Sequence, residues 1–131
     1  MPTSFDPSQT YARLNADSAI ALLPGGEAFW SQPEARIEEA FSTGWLVCES
    51  SCDADWSHWE MHPGGDEFVY LLSGSAAMLV EADGIVSEIP MGGRGAVVVP
   101  RGAWHTARVF APSRMLFITP GAGTRHRPAA S

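Results

Sequence analysis

Four side chains able to hold a divalent metal fall within one short stretch: His58, Glu60, His62 and Glu67. Half of the protein's 4 histidines lie there. Imidazole nitrogens and carboxylate oxygens are the usual donors for Fe(II), Mn(II) and Zn(II). Along a β-strand successive side chains alternate between faces, so His58, Glu60 and His62 share one face. Pro63-Gly64-Gly65-Asp66 then signals a turn. A second strand, Glu67 to Leu72, closed by Ser73-Gly74, makes a hairpin that returns Glu67 over the face of Glu60 and His62. Another polar residue of this kind stands downstream in Pro100-Arg101-Gly102-Ala103-Trp104-His105. There Pro100 and Gly102 shape a tight entry into a strand. His105 shares a face with Ala107 and Val109, small apolar neighbours suited to a barrel interior that holds a single polar ligand.

Each of these residues also has a plainer reading. A histidine such as His105, taken alone, is more often a core residue than a ligand, and Glu60 also fits a general base or the polar partner of an arginine. His58 takes the place of Glu60 if the strand slips or carries a bulge, and otherwise stands behind or beside the ligands. Trp59 and Trp104 are out of phase with the ligands and suit core or dimer packing. Trp56 is in phase, at the strand's start, where it either caps or lines a barrel. Asp66 reads as a turn residue, Phe68 and Tyr70 face away from Glu67, and His126 falls in a tail with no role. Cys48 and Cys52 are spaced Cys-x-x-x-Cys, which is not the redox spacing, and read as two free thiols in or near a strand.

The elements that must position these groups are short and β-rich. A chain of 131 residues with 45% hydrophobic content forms one domain with a core of its own. The 13 glycines and 10 prolines call for many turns. Residues 1–18 are polar and irregular, with Pro2, Pro7, Asn15 and Asp17 interrupting any period. Ile20 to Leu23 is a short strand. Glu27 to Phe41 is the helical region, split by Pro33, with Phe29, Trp30, Ile37 and Phe41 spaced so that some share a face. From Gly44 the chain turns to strands: 44–49, 56–62, 67–72, 75–81, 85–89, 96–99, 103–110 and 114–119. Asp83-Gly84 is a tight hairpin turn and Ala111-Pro112-Ser113 another turn. Pro120 onward reads as an exposed tail. Many short strands at regular spacing indicate an all-β sandwich or barrel. The expected organisation is an arm over 1–43 with a short helix, a barrel over 44–119 and a tail over 120–131.

The charge of −7 argues against nucleic acid, whose binding needs cations. All 8 basic residues are arginine, so Schiff-base and phosphate-loop lysine chemistry is excluded. The first residues lack the pattern of a secretory signal and no apolar run reaches membrane length, so a cytoplasmic, non-membrane protein is expected.

At the two ligand loci the sequence resembles the cupin superfamily. The family's first motif is His-x-His, three or four residues, Glu, six residues, Gly; His62, Glu67 and Gly74 match its later part in spacing. Its second motif, Gly, five residues, Pro-x-Gly-x-x-His, is matched by Pro100, Gly102 and His105, with Gly95 one residue closer to the proline. The likeness covers about residues 44–119. It implies a jelly-roll β-barrel (a double-stranded β-helix) with a metal held inside by Glu60, His62, Glu67 and His105. Glu60 stands where the family has its first histidine, which hardens the donor set towards Fe, Mn or Zn. By the same resemblance the protein is a homodimer that binds a small organic molecule, as a metal-dependent dioxygenase or isomerase. The alternatives are a sensor or binding cupin without catalysis, and a barrel in which Glu60 has abolished metal binding.

Overall fold

The computed structural model of the protein describes residues 3–129. Residues 1–2 and 130–131, including Pro2 and the outer end of the expected tail, lie outside the described residues. The elements in chain order are β1 (Thr10–Leu14), β2 (Ile20–Pro24), α1 (Glu27–Trp30), α2 (Glu34–Phe41), β3 (Trp45–Cys52), β4 (His58–Met61), β5 (Glu67–Ala82), β6 (Ile85–Pro90), β7 (Ala96–Val99), β8 (Trp104–Thr119) and β9 (Arg125–Pro128). The fold is a jelly-roll barrel, as expected, with the helical region broken at Pro33. No helix among the described residues is long and apolar enough to cross a membrane.

Two long strands carry the architecture. β5 and β8 run antiparallel from Phe68 opposite Ile118 to Glu81 opposite Trp104. The register shifts between Leu71 and Ala76 and divides each strand into two halves. One half of the pair lies between β7 and β3, and β3 continues through β1 to β2. The other half lies between β6 and β4, and β4 continues to β9. The barrel encloses Val69, Leu71, Met78, Val99, Ala107 and Met115. A second cluster of Tyr11, Phe29, Leu46 and Cys48 seats the helices on the β1 and β3 side, with Ile37 and Phe41 packed against it.

Several expectations are corrected. Ser73-Gly74 and Ala111-Pro112-Ser113 do not end strands; they are the facing bends of β5 and β8. Gly74 has φ 100°, and a Cβ there would lie 2.4 Å from the Pro112 carbonyl, so only glycine lets the two bends touch. Pro112, which has no N–H to give a ladder, falls where the register already shifts. Residues 10–14 are a strand rather than irregular chain, because Thr10 to Leu14 finds partners in both β2 and β3.

β4 and β5 are not a hairpin. β4 pairs with β8 and β9, β5 with β6, β7 and β8, and the Pro63–Asp66 turn carries the chain across the barrel. Nor is the described stretch after Pro120 without structure, though most of it is exposed. Residues 125–128 form β9 against β4, in register from His58 opposite Pro128 to Met61 opposite Arg125.

Arg127 explains why that last strand stays docked. Its guanidinium lies over the rings of Trp59 and Trp104, 5.1 and 4.6 Å from their centres, and also binds the Glu81 carboxylate. The two tryptophans therefore pack half-buried against an arginine on the outside of the barrel rather than in the core. Arg127→Ala is expected to cost about 1–2 kcal/mol of stability in urea unfolding, from the two cation–π contacts. Arg127→Lys should recover only part of it, since an ammonium cannot stack on both indoles.

Candidate metal centre

Three neighbouring strands bring the ligand-type residues to one level. On β8, His105 is the Cα partner of Glu60 on β4, and on β9, His126 is its partner from the other side. Glu67 opens β5 in the facing wall, so it reaches His62 and His105 across the barrel and not around a hairpin. Its Oε1 lies 3.0 Å from His105 Nε2 and its Oε2 3.4 Å from His62 Nε2. Glu60 Oε2 stands 3.7 and 3.9 Å from the same two nitrogens. The four residues singled out in the sequence are thus brought together, three of them buried and Glu60 at the open side.

The loops between the strands hold this geometry. Ala103 N–H donates to the Pro100 carbonyl at 3.1 Å, with Gly102 at φ 78°, closing a turn that needs a left-handed third residue. Gly102 N–H donates to the His62 carbonyl at 3.0 Å, and Arg101 N–H to Asp66 Oδ1 at 2.8 Å. Asp66, expected to serve only its own turn, therefore ties the two motif loops together.

Hydrogen bonds fix which nitrogen of each imidazole faces inward. His105 Nδ1 lies 3.3 Å from the Ala103 carbonyl, which only accepts, so Nδ1 carries the proton. Thr124 Oγ1 gives its own proton to the Gly121 carbonyl at 2.8 Å and so accepts from His62 Nδ1, also at 2.8 Å. In its neutral form each ring thus aims an Nε2 lone pair at Glu67. His62 Nε2, His105 Nε2 and Glu67 Oε1 are buried without a hydrogen-bond partner. Three convergent lone pairs in a barrel interior demand a proton or a cation among them. The donor chemistry fits a divalent metal.

Without a metal, a proton can take the cation's place. Burial alone would raise the Glu67 carboxyl, but hydrogen bonding to the His105 and His62 rings through such a proton outweighs it and brings it down to about 2. Burial would lower His105, and Glu67 reverses this, so His105 is raised above the usual imidazole value. Thr119 Oγ1 donates to Glu67 Oε2 at 2.6 Å and fixes the carboxylate plane. The Cys48 thiol is pushed up to about 12 by burial and by the nearby Glu67 and Glu60 charges. It remains a neutral thiol, and Cys48 and Cys52 are both free.

His58 does not replace Glu60. β4 keeps an unbroken register with β9, and the His58 ring stays at the mouth, with Nε2 3.2 Å from Glu60 Oε1. Trp56 lines the interior, its ring 6.4 Å from that of His105 and 5.8 Å from Phe117. The centre opens into a cavity of about 800 Å³ that extends to α2, Cys48 and Cys52. A smaller hollow of about 380 Å³ near Trp45 and Pro120 has no titratable side chain in its wall. Thr119, Thr124 and His126 were not singled out in the sequence. A lone threonine or tail histidine carries no spacing signal, and all three enter the site only through strand pairing.

No family model and no curated protein matches the chain. Solved structures do. A cupin-2 domain protein from Shewanella frigidimarina matches with TM-score 0.50 and 16% identity over 58% of this chain and 70% of that one. The chain has the cupin fold. Hydroxypropylphosphonic acid epoxidase from S. wedmorenis matches with TM-score 0.52 and 12% identity, over 61% of this chain and 45% of the epoxidase. Bacillus subtilis oxalate decarboxylase, with Mn(II) centres, matches with TM-score 0.51 and 21% identity over 64% and 23% of the two chains. The matched part of this chain thus spans less than half the length of either enzyme.

If Thr124 sets the His62 ring, Thr124→Val should weaken Zn(II) binding roughly 10- to 100-fold in competition with a chromophoric chelator, with the melting temperature little changed. Gly121→Ala should act the same way from further off, since a Cβ there would lie 1.9 Å from the Phe41 ring and displace the Gly121–Thr124 turn.

Proposed function

We propose that this protein is a metal-binding cupin that takes a small organic molecule into the barrel mouth beside the ion. The observation that carries the reading is the trio of buried, unpartnered atoms: His62 Nε2, Glu67 Oε1 and His105 Nε2. With Glu60 they give two imidazoles and two carboxylates, a hard donor set suited to Fe(II), Mn(II) or Zn(II). The metal-dependent epoxidase and decarboxylase among the structural neighbours support a metal in this barrel without choosing its identity.

The cavity supports a class of ligand. Its wall combines the apolar faces of Trp56 and Phe117 with Glu34, Glu38, Asp53 and Asp55, and no arginine lines it. Such a wall favours a neutral or cationic molecule with an apolar body, and repels free anions. When bound, the metal supplies Lewis acidity, or redox chemistry if it is iron. Glu60, more exposed than Glu67, is placed to accept a proton from a ligand in the mouth. Dioxygenase or isomerase chemistry is the catalytic form of this reading. As a homodimer, the protein would use an edge such as β2, where Ile20 and Leu22 are exposed. Sedimentation at twice the chain mass, lost on Ile20→Glu, is the expected result.

Tag-free protein should contain or take up at least one equivalent of Fe(II), Mn(II) or Zn(II). Glu67→Gln or His105→Ala should weaken that binding at least about tenfold. A parent protein that takes up none of the three metals would sink the reading.

Protons compete for the same atoms, and the signs can be worked out. Glu67 is depressed, so in metal-free protein its contribution to stability is present above the usual 4.5 and is lost as pH falls towards about 2. His105 is raised, so its contribution is complete below the usual 6.5 and is lost as pH rises through the raised value. Metal needs the deprotonated ring. The rise in melting temperature on adding Zn(II) should therefore grow as pH increases across the His105 titration, and a pH-independent rise would contradict the assignment.

A further inference from the structure

Glu60 does not face one pair of imidazoles but two. Its Oε2 is turned inward to His62 and His105, at 3.7 and 3.9 Å. Its Oε1 is turned outward to His58 Nε2 and His126 Nε2, at 3.2 and 3.5 Å. The ligand atoms of His58, Glu60 and His126 all lie within 4.8 Å of one another, as do those of Glu60, His62 and His105. The outer rings are close, with centres 5.0 Å apart at 67°. Strand register produces the doubling. Glu60 is the Cα partner of a histidine on each neighbouring strand, His105 and His126, and each has a second histidine from the Glu60 strand, or the turn beyond it, beside it.

From this we infer a second metal site at the barrel mouth, held by His58, His126 and Glu60, with the Glu60 carboxylate bridging it to the inner site. The inference rests on the inner site proposed above. The outer set is two imidazoles and a carboxylate, the donor combination that leaves positions open for water or ligand; the inner set adds Glu67 as a second carboxylate. A carboxylate with one oxygen on each ion is the usual bridge of two-metal centres. The His58 and His126 side chains are 42% and 55% exposed, so an ion reaches them directly from solvent. Asp53 and Asp55 in the same wall add negative charge that favours a second cation. A bridging role also accounts for a carboxylate where the cupin motif has an imidazole: an imidazole offers one lone pair, a carboxylate two oxygens.

The test is Zn(II) stoichiometry on tag-free, full-length protein, by metal analysis after saturation and by competition with a chromophoric chelator. The parent is expected to bind two equivalents. His58→Ala and His126→Ala should each bind one, and His105→Ala should lose the other. Glu60→Gln should weaken both at least about tenfold, the mark of a shared ligand. His58 and His126 lie at the surface, so their removal leaves the core intact. A parent that binds one equivalent, kept in His58→Ala and His126→Ala but lost in His105→Ala, overturns the second site and leaves the inner one standing. A second equivalent that survives removal of both outer histidines overturns it as well. A parent that binds none overturns both.

Discussion

The structure depends on a carboxylate buried where no carboxylate is comfortable. Glu67 is 2% exposed inside an apolar barrel. Desolvating a charge costs several kcal/mol unless donors or cations replace the lost water. Thr119 supplies one donor; the remaining compensation has to come from the space between His62 and His105. That requirement explains why both imidazoles turn their Nε2 atoms to the same point. It also explains why their Nδ1 atoms are each committed to an oxygen elsewhere.

Meeting that requirement falls to β5 and β8. One long strand alone would lie in one sheet, but a pair bent together at Gly74 and Pro112 belongs to both. Glu67 and Thr119 then sit on adjacent strands in one half, and His105 sits in the other half beside β4. The chemistry is set across the barrel because its two longest elements change sheets at the same place.

Much of this was legible in the sequence, and for a definite reason. Metal ligands on a strand obey a period of two, and turns around Pro63–Asp66 and Pro100–Gly102 are written in residues with narrow backbone preferences. Glu60, His62, Glu67 and His105 therefore stand out as donor-type side chains, and the fold brings the four together. The hairpin between β4 and β5 was misread because a Pro-Gly-Gly turn also serves a crossover between sheets, and only long-range pairing decides which. The second half of the Glu60 environment was missed for a related reason. His126 and Thr124 lie more than sixty residues from their partners, in a stretch rich in glycine and proline that locally resembles a tail. Nothing local records that Arg127 stacks on two tryptophans and so makes this stretch a strand.

That clasp has a consequence for how the site is completed. The barrel's interior packing is complete by Thr119, before β9 is reached. What the last stretch adds is Thr124, which orients the His62 ring, and His126 beside Glu60. The surroundings of the inner imidazoles are thus completed by the last strand, which a single arginine seats on Trp59 and Trp104.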